Sequence, residues 1–261
     1  MNRRQMLAGL ASTAALTNVE SRAANVNNAY LELIVWRFHN TEENQASRTS
    51  EFLQNGLQPA LSRAGARLIG AFSNVIATDG PFYVTLSQYA SLGNLQDVRE
   101  KLAGDEAYQQ AVQKLSSGQG LPFVGVESNL LRCFDGMPQP AVSAPSGRET
   151  HRIFEWRTYE SQSFATLARK IGMFNHGEMQ IFERLGMRPV FFGETIIGPK
   201  QPNLMYMLSY DDLAAREKLW RAFGSDPAWQ KLRSNPELAD AQIVANISNI
   251  ILQPLKFSPI R

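Results

Sequence analysis

Apolar and polar positions run through the same order of patterns twice along this chain. Tyr30 to Phe38 alternates and is rich in β-formers, as does His151 to Tyr159, so each stretch predicts a strand. Helical spacing follows over Ser47 to Ala64 and over Ser163 to Leu185, each ended by a glycine suited to the left-handed turn after a helix, Gly65 and Gly186. Two strands come next, Arg67 to Phe72 with Phe82 to Tyr89, and Arg188 to Phe192 with Leu204 to Tyr210. A second helical region covers Leu92 to Leu115 in one half and Asp212 to Arg233 in the other. The last predicted strands are Val124 to Phe134 and Ile243 to Leu252. The pattern is β-α-β-β-α-β, read twice.

Short identities keep the same spacing. Trp36-Arg37 recur as Trp156-Arg157, and Ser128-Asn129 as Ser248-Asn249, both 120 residues on. Arg63-Ala64-Gly65 recur as Arg184-Leu185-Gly186, and Asp105-Glu106-Ala107-Tyr108 as Asp226-Pro227-Ala228-Trp229, both 121 on. Repeats at a fixed offset predict an internal duplication. The expected class is α+β, with two ferredoxin-like repeats at residues 30–134 and 150–255 joined by a Pro-, Gly- and Ser-rich linker at 135–149. One such unit covers a single face of its sheet with helices, so the other face needs a partner, which the second unit supplies. Apolar residues of both parities in the first strand (Leu31, Leu33 and Val35 against Ile34, Trp36 and Phe38) fit a sheet buried on both faces.

The first 23 residues read as an export signal. Arg3-Arg4 precede an apolar run from Met6 to about Leu16, and Ser21-Arg22-Ala23 offers small residues for cleavage. Arg-Arg-Gln-Met-Leu resembles a twin-arginine signal, with a general secretory signal as the alternative. The expected location is therefore outside the bacterial cytoplasm. The run is too short for a membrane span, which needs about 20 apolar residues. Losing residues 1–23 removes Arg3, Arg4, Arg22 and Glu20 and leaves basic and acidic residues equal in number. A balanced chain without a Lys/Arg cluster is not a nucleic-acid binder. The one cysteine, Cys133, cannot form an intrachain disulfide and reads as a buried thiol.

Phe154-Glu155-Trp156-Arg157-Thr158-Tyr159 resembles the opening strand of the NIPSNAP family, an aromatic followed by Glu-Leu-Arg-Thr-Tyr. The resemblance continues through Glu183-Arg184-Leu185-Gly186, Met207 to Glu217, and Asp226-Pro227-Ala228-Trp229. It implies the dimeric α+β barrel superfamily, here formed within one chain, whose relatives include cofactor-free and haem-using oxygenases. The first unit resembles the family less: Val35-Trp36-Arg37-Phe38-His39 puts Val35 where the glutamate is expected and His39 where the tyrosine is.

Glu155, Arg157 and Tyr159 alternate along one strand and so share a face. If that face lines the space between the sheets, a carboxylate, a guanidinium and a phenol converge on a ligand; otherwise they form a structural ion pair. His176, between Gly172 and Gly177, is a further candidate base or ligand, and the glycines would let a bound molecule approach the backbone. On an unbroken helix it would point away from the apolar stripe, as a surface histidine does. His39, His151 and His176 are isolated, so no metal site or cofactor is expected. The reading is an exported protein, expected to self-associate, that binds a small apolar molecule between its sheets, with cofactor-free oxygenase-type chemistry as its enzymatic form. The alternative is a non-catalytic scaffold. The residues leave open whether any chemistry occurs.

Overall fold

In β1 (Tyr30–Arg37), Leu31, Leu33 and Val35 are buried on one side while Trp36 and Glu32 are buried on the other. The strand is thus packed on both faces. The computed structural model describes residues 27–40, 44–142 and 152–261. The export signal expected at 1–23, His151 and residues 143–149 of the expected linker lie outside the described residues. The remaining strands are β2 (Arg67–Ile76), β3 (Phe82–Tyr89), β4 (Gly125–Cys133), β5 (Ile153–Glu160), β6 (Arg188–Ile197), β7 (Asn203–Tyr210) and β8 (Asn246–Pro254). They close into one antiparallel barrel in the order β1-β3-β2-β8-β5-β7-β6-β4, with β4 returning to β1. The fold is α+β, and each half carries its strands and long helices in the same order, the second adding short helical turns before its last strand.

Leu33, Val84, Phe72, Phe154, Trp156, Met207 and Leu252 fill the barrel interior, and helices cover the outside. The halves meet along two short seams. At one, Phe72 to Ile76 of β2 pair with Ile251 to Pro254; at the other, Leu130 to Cys133 of β4 pair with Gly193 to Ile197. Past each seam the chain leaving the last strand of a half continues along the other half. Phe134 and Ala141 donate to Phe192 and Val190 carbonyls, and Leu255 donates to the Ala71 carbonyl. Ile260 then packs into the barrel core at that end.

Helices α1 (Gln45–Phe52) and α2 (Gln58–Ala64) are joined by a π turn, Leu53–Leu57, and α5 (Phe164–Met173) and α6 (Met179–Arg184) by its counterpart, Phe174–Glu178. Gly65 and Gly186 end these helices at φ of 94° and 77°, as their positions require. The second helical region of each half is broken in two: α3 (Leu92–Gly104) and α4 (Glu106–Ser116), then α7 (Leu213–Ser225) and α8 (Pro227–Arg233). The break is an aspartate that caps the following helix, Asp105 accepting from the Tyr108 amide and Asp226 from those of Ala228 and Trp229. Arg63 grips Asp105 at 2.7 Å and Arg184 grips Asp226 at 2.9 Å. The two sequence identities spaced 121 apart are therefore the two ends of one clamp, present in each half. Ile243, expected to open the last strand, instead ends a short helix, α9 (Asp240–Ile243).

Candidate functional site

Glu155, Arg157 and Tyr159 do share one face of β5, and that face is turned toward the helices, away from the barrel interior. Phe154, Trp156 and Thr158 take the interior side. Glu155 is fully buried. Its Oε1 accepts from Arg157 at 2.7 Å and Arg216 at 2.5 Å, and its Oε2 from Trp220 Nε1 at 2.8 Å and Tyr210 Oη at 3.3 Å. Burial alone would raise its pKa, but the donors on Arg216, Arg157 and Trp220 outweigh burial and hold it below the usual carboxylate value. The Arg157 guanidinium lies 4.5 Å over the Trp220 ring. It also donates to Tyr159 Oη at 3.2 Å, and Tyr206 Oη donates to Tyr159 Oη at 3.0 Å. Burial drives the Tyr206 phenol strongly upward, so it keeps its proton. The carboxylate is saturated by protein donors, which leaves it little capacity for a ligand.

The first half has its own version of this arrangement, in a different register from the one the Trp-Arg repeat suggests. Tyr30 pairs with Tyr89 and Ile153 with Tyr210, so Glu32, two residues along, holds the position of Glu155. Glu32 accepts from Tyr89 Oη, Arg99 and Ser128 Oγ, each at 3.0 Å. The expectation that Val35 replaces the glutamate and His39 the tyrosine is thus corrected. Val35 points into the barrel, where Thr158 lies in the second half, and Trp36 takes the place of Tyr159. Trp36 Nε1 donates to Thr85 Oγ1 at 3.1 Å, as Tyr159 and Tyr206 meet in the other half.

Further along the helix layer, Lys170 and Glu178 are both buried and meet at 3.0 Å. Burial works against the Lys170 charge, but the Glu178 carboxylate outweighs it and the ammonium keeps its proton. The rings of Phe174, Tyr159 and Trp229 lie 5.0 to 5.6 Å from the Lys170 nitrogen. Matched through the π turns, Thr49 and Leu57 stand at these places in the first half, so the ionic cluster belongs to the second half alone. His176 lies on the exposed side of its π turn, its Nδ1 donating to the Gly172 carbonyl at 2.8 Å. A Cβ on Gly177 would sit 3.1 Å from Leu232, and one on its counterpart Gly56 2.6 Å from Ala111, whereas one on Gly172 would meet nothing within 4 Å. Gly177 and Gly56 let α8 and α4 approach their π turns.

A cavity of about 540 Å³ opens at one end of the barrel, between the two halves. Trp156, Thr158 and Met205 line it from the second half, Arg37, Glu127 and Asn129 from the first. Two hairpins border it, one carrying Asp79 and the other Lys200. Lys200 is the one non-glycine residue with positive φ among the described residues, at 60°. Strained backbone of this kind is costly and gathers at functional sites. Two residues of this lining each keep a solvent-shielded polar atom without a hydrogen-bond partner among the described residues, Trp156 Nε1 and Asn129 Oδ1. Asn129 is fully buried and Trp156 is 7% exposed. Neither residue stood out in the sequence. Trp156 was visible only as part of a motif, and Asn129 only as half of a Ser-Asn repeat.

The barrel and its helix layer define an α+β barrel of a class shared with several solved proteins. A candidate monooxygenase from Lactobacillus acidophilus NCFM superposes with a TM-score of 0.58 at 10% identity, covering 87% of this chain and 93% of its own. An anthrone oxidase-like protein superposes with a TM-score of 0.52 at 11% identity, covering 88% and 92%. A NIPSNAP-like domain protein from Burkholderia xenovorans is 26% identical over 42% of this chain and 91% of its own, with a TM-score of 0.37. No curated protein matches the chain by sequence. Residues 154–259 match the NIPSNAP family model.

Proposed function

We propose that the chain binds a small molecule in the barrel-mouth cavity, between its two half-sheets. The observation that carries this reading is an open cavity of about 540 Å³ whose lining is shared by the two halves, Trp156, Thr158 and Met205 from one and Arg37, Glu127 and Asn129 from the other. Concave sites of about 300–1,000 Å³ with apolar walls and a few polar groups are the usual size for a small-molecule ligand. The floor is apolar through Met205 and Ile250 and the rim is polar, so the ligand is amphipathic rather than purely apolar. Thermal unfolding of the mature protein with a panel of amphipathic ring compounds tests this directly. The transition is expected to rise with some of them and to stop responding in Thr158→Phe, which fills the mouth. No response across the panel, or a response that survives the filled mouth, overturns the reading.

Oxidation of the bound molecule without a metal is the enzymatic form of this proposal. The shared barrel supplies a fold and no catalytic residues, so the question goes to experiment. Incubation with anthrone under air is expected to yield the quinone faster than buffer does, and a rate equal to buffer removes this form. The non-catalytic reading draws on a different observation, the saturation of Glu155, Arg157 and Tyr159 by protein partners on the helix side. It expects a concentration-independent oligomer and no ligand response.

Two further readings belong here. The halves are copies of one unit, supported by their matching π turns, Arg–Asp clamps and Glu–Tyr pairs. The chain is exported by the twin-arginine route, so replacing Arg3 and Arg4 by lysine should hold the protein in the cytoplasm on cell fractionation.

A further inference from the structure

We infer that the helix layer of the second half carries a separate binding groove, and that its ligand is a free carboxylate with an apolar tail. The groove has a volume of about 450 Å³ and shares no residue with the barrel-mouth cavity. It lies between the Phe174–Glu178 π turn with α6 on one side and α8 with the turn Pro236–Leu238 on the other. Ile181, Ala228, Leu232 and Leu238 give it apolar walls, and His176, Arg184 and Lys231 bring basic groups to it. Those three side chains are exposed to solvent. Among the described residues, no acidic side chain lines the groove.

The corresponding place in the first half is shut. The π turns lie 121 residues apart, as do the capping aspartates Asp105 and Asp226. Glu51, Asn55, Ala111 and Lys114 therefore stand where the second half has Gly172, His176, Leu232 and Asn235. The contacts of the π-turn glycines agree, Gly56 lying against Ala111 and Gly177 against Leu232. In the first half Lys114 reaches across to Glu51 as an ion pair, and the space left is about 240 Å³. The second half has neither partner of that bridge. A Cβ on Gly172 would meet nothing within 4 Å, so the direction taken by the Glu51 side chain is open space there.

Losing that carboxylate also sets the sign of the groove. Arg184 is already paired with Asp226, and Nδ1 of His176 is engaged by the Gly172 carbonyl. Lys231 makes no ion pair among the described residues. Its ammonium is the charge on offer, and a carboxylate beside it supplies the counter-charge while the apolar walls take the tail. A cationic ligand would meet basic groups with no acid at the lining, and a neutral one would leave the ammonium as it is.

NMR titration of the full mature protein tests this, with the imidazole signals of His176 as local reporter and three probes that share one tail. Octanoate is expected to move those signals and to bind about fivefold or more tightly than 1-octanol, with octylammonium weakest. Gly172→Glu restores the acid of the first half in open space and should weaken octanoate about fivefold; Lys231→Gln should weaken it about threefold. Both changes are outside the packed core, and neither should alter the affinity for 1-octanol by more than about twofold. Equal affinity for the three probes, or tightest binding of octylammonium, overturns the carboxylate. Octanoate binding that leaves the His176 signals in place, or that survives Gly172→Glu unchanged, overturns the site. No octanoate binding at millimolar concentration overturns both.

Discussion

Glu155 is a buried carboxylate held by two arginines, an indole and a phenol, and its worth is set by what it leaves behind when removed. Glu155→Gln would strand Arg157 and Arg216 without their counter-charge, a loss of about 3–5 kcal/mol for a broken buried pair. Urea unfolding at neutral pH measures it. The carboxyl sits below its ordinary value in the folded protein, so its contribution is present above the unfolded pKa of about 4.3 and fades as pH falls through the lower folded value. Wild type should therefore lose more stability on acidification than Glu155→Gln; parallel pH profiles would show that the carboxylate is not linked to folding. At Lys200 the sign is reversed. Its left-handed backbone costs about 1–2 kcal/mol for a residue with a Cβ, so Lys200→Gly is expected to stabilise the fold by something under 1 kcal/mol after glycine's own entropy. A stability loss on thermal unfolding would mean that the lysine side chain contributes more than the strain costs. The alternation of Glu155, Arg157 and Tyr159 was legible from sequence. Which way their face points was not, because Phe154, Trp156 and Thr158 are buried too, and a strand packed on both sides carries no label for inside or outside.

The π turns are the element that sequence periodicity misses. Lys170 and Glu178 are eight residues apart, which on an unbroken α-helix separates them by about 80° around the axis. The extra residue absorbed in the Phe174–Glu178 turn brings them onto one line, where they pair. Lys170→Met alone should cost about 3–5 kcal/mol by leaving Glu178 buried and unpaired, and Lys170→Met with Glu178→Leu should recover much of that. A double variant as unstable as the sum of both single changes would mean the pair is not coupled. The glycines in the two π turns were visible in the sequence, but their purpose was not. Gly56→Ala would drive a methyl into Ala111 across the contact with α4, at an expected cost of about 1–3 kcal/mol by denaturant unfolding. His176→Ala, beside the equivalent Gly177, removes one exposed hydrogen bond and should stay within about 0.5 kcal/mol of wild type.

At the scale of the whole molecule, the order of elements and the need for two units to bury each other's sheets follow from the repeated pattern. The register between the units does not. Trp36-Arg37 and Trp156-Arg157 coincide in spacing but occupy opposite faces, Trp36 under the helices and Trp156 in the barrel. Only the hydrogen-bonded pairs put Glu32 where Glu155 is. Each half offers one edge from its second strand and one from its last, and the barrel closes because each meets the opposite kind in the other half. Residues 152–261 alone would expose both edges, β6 and β8, together with Phe154, Trp156, Met207 and Leu252. Unpaired edges beside an apolar face are not stable in water. A second copy supplies the complementary β8 and β6, so the excised half should form a symmetric dimer that rebuilds an eight-stranded barrel. Light scattering after size exclusion should then give twice the mass of residues 152–261, with circular dichroism retaining strand and helix. A folded monomer at micromolar concentration would show that one half can bury its sheet unaided, and the cavity between the halves would lose its structural necessity.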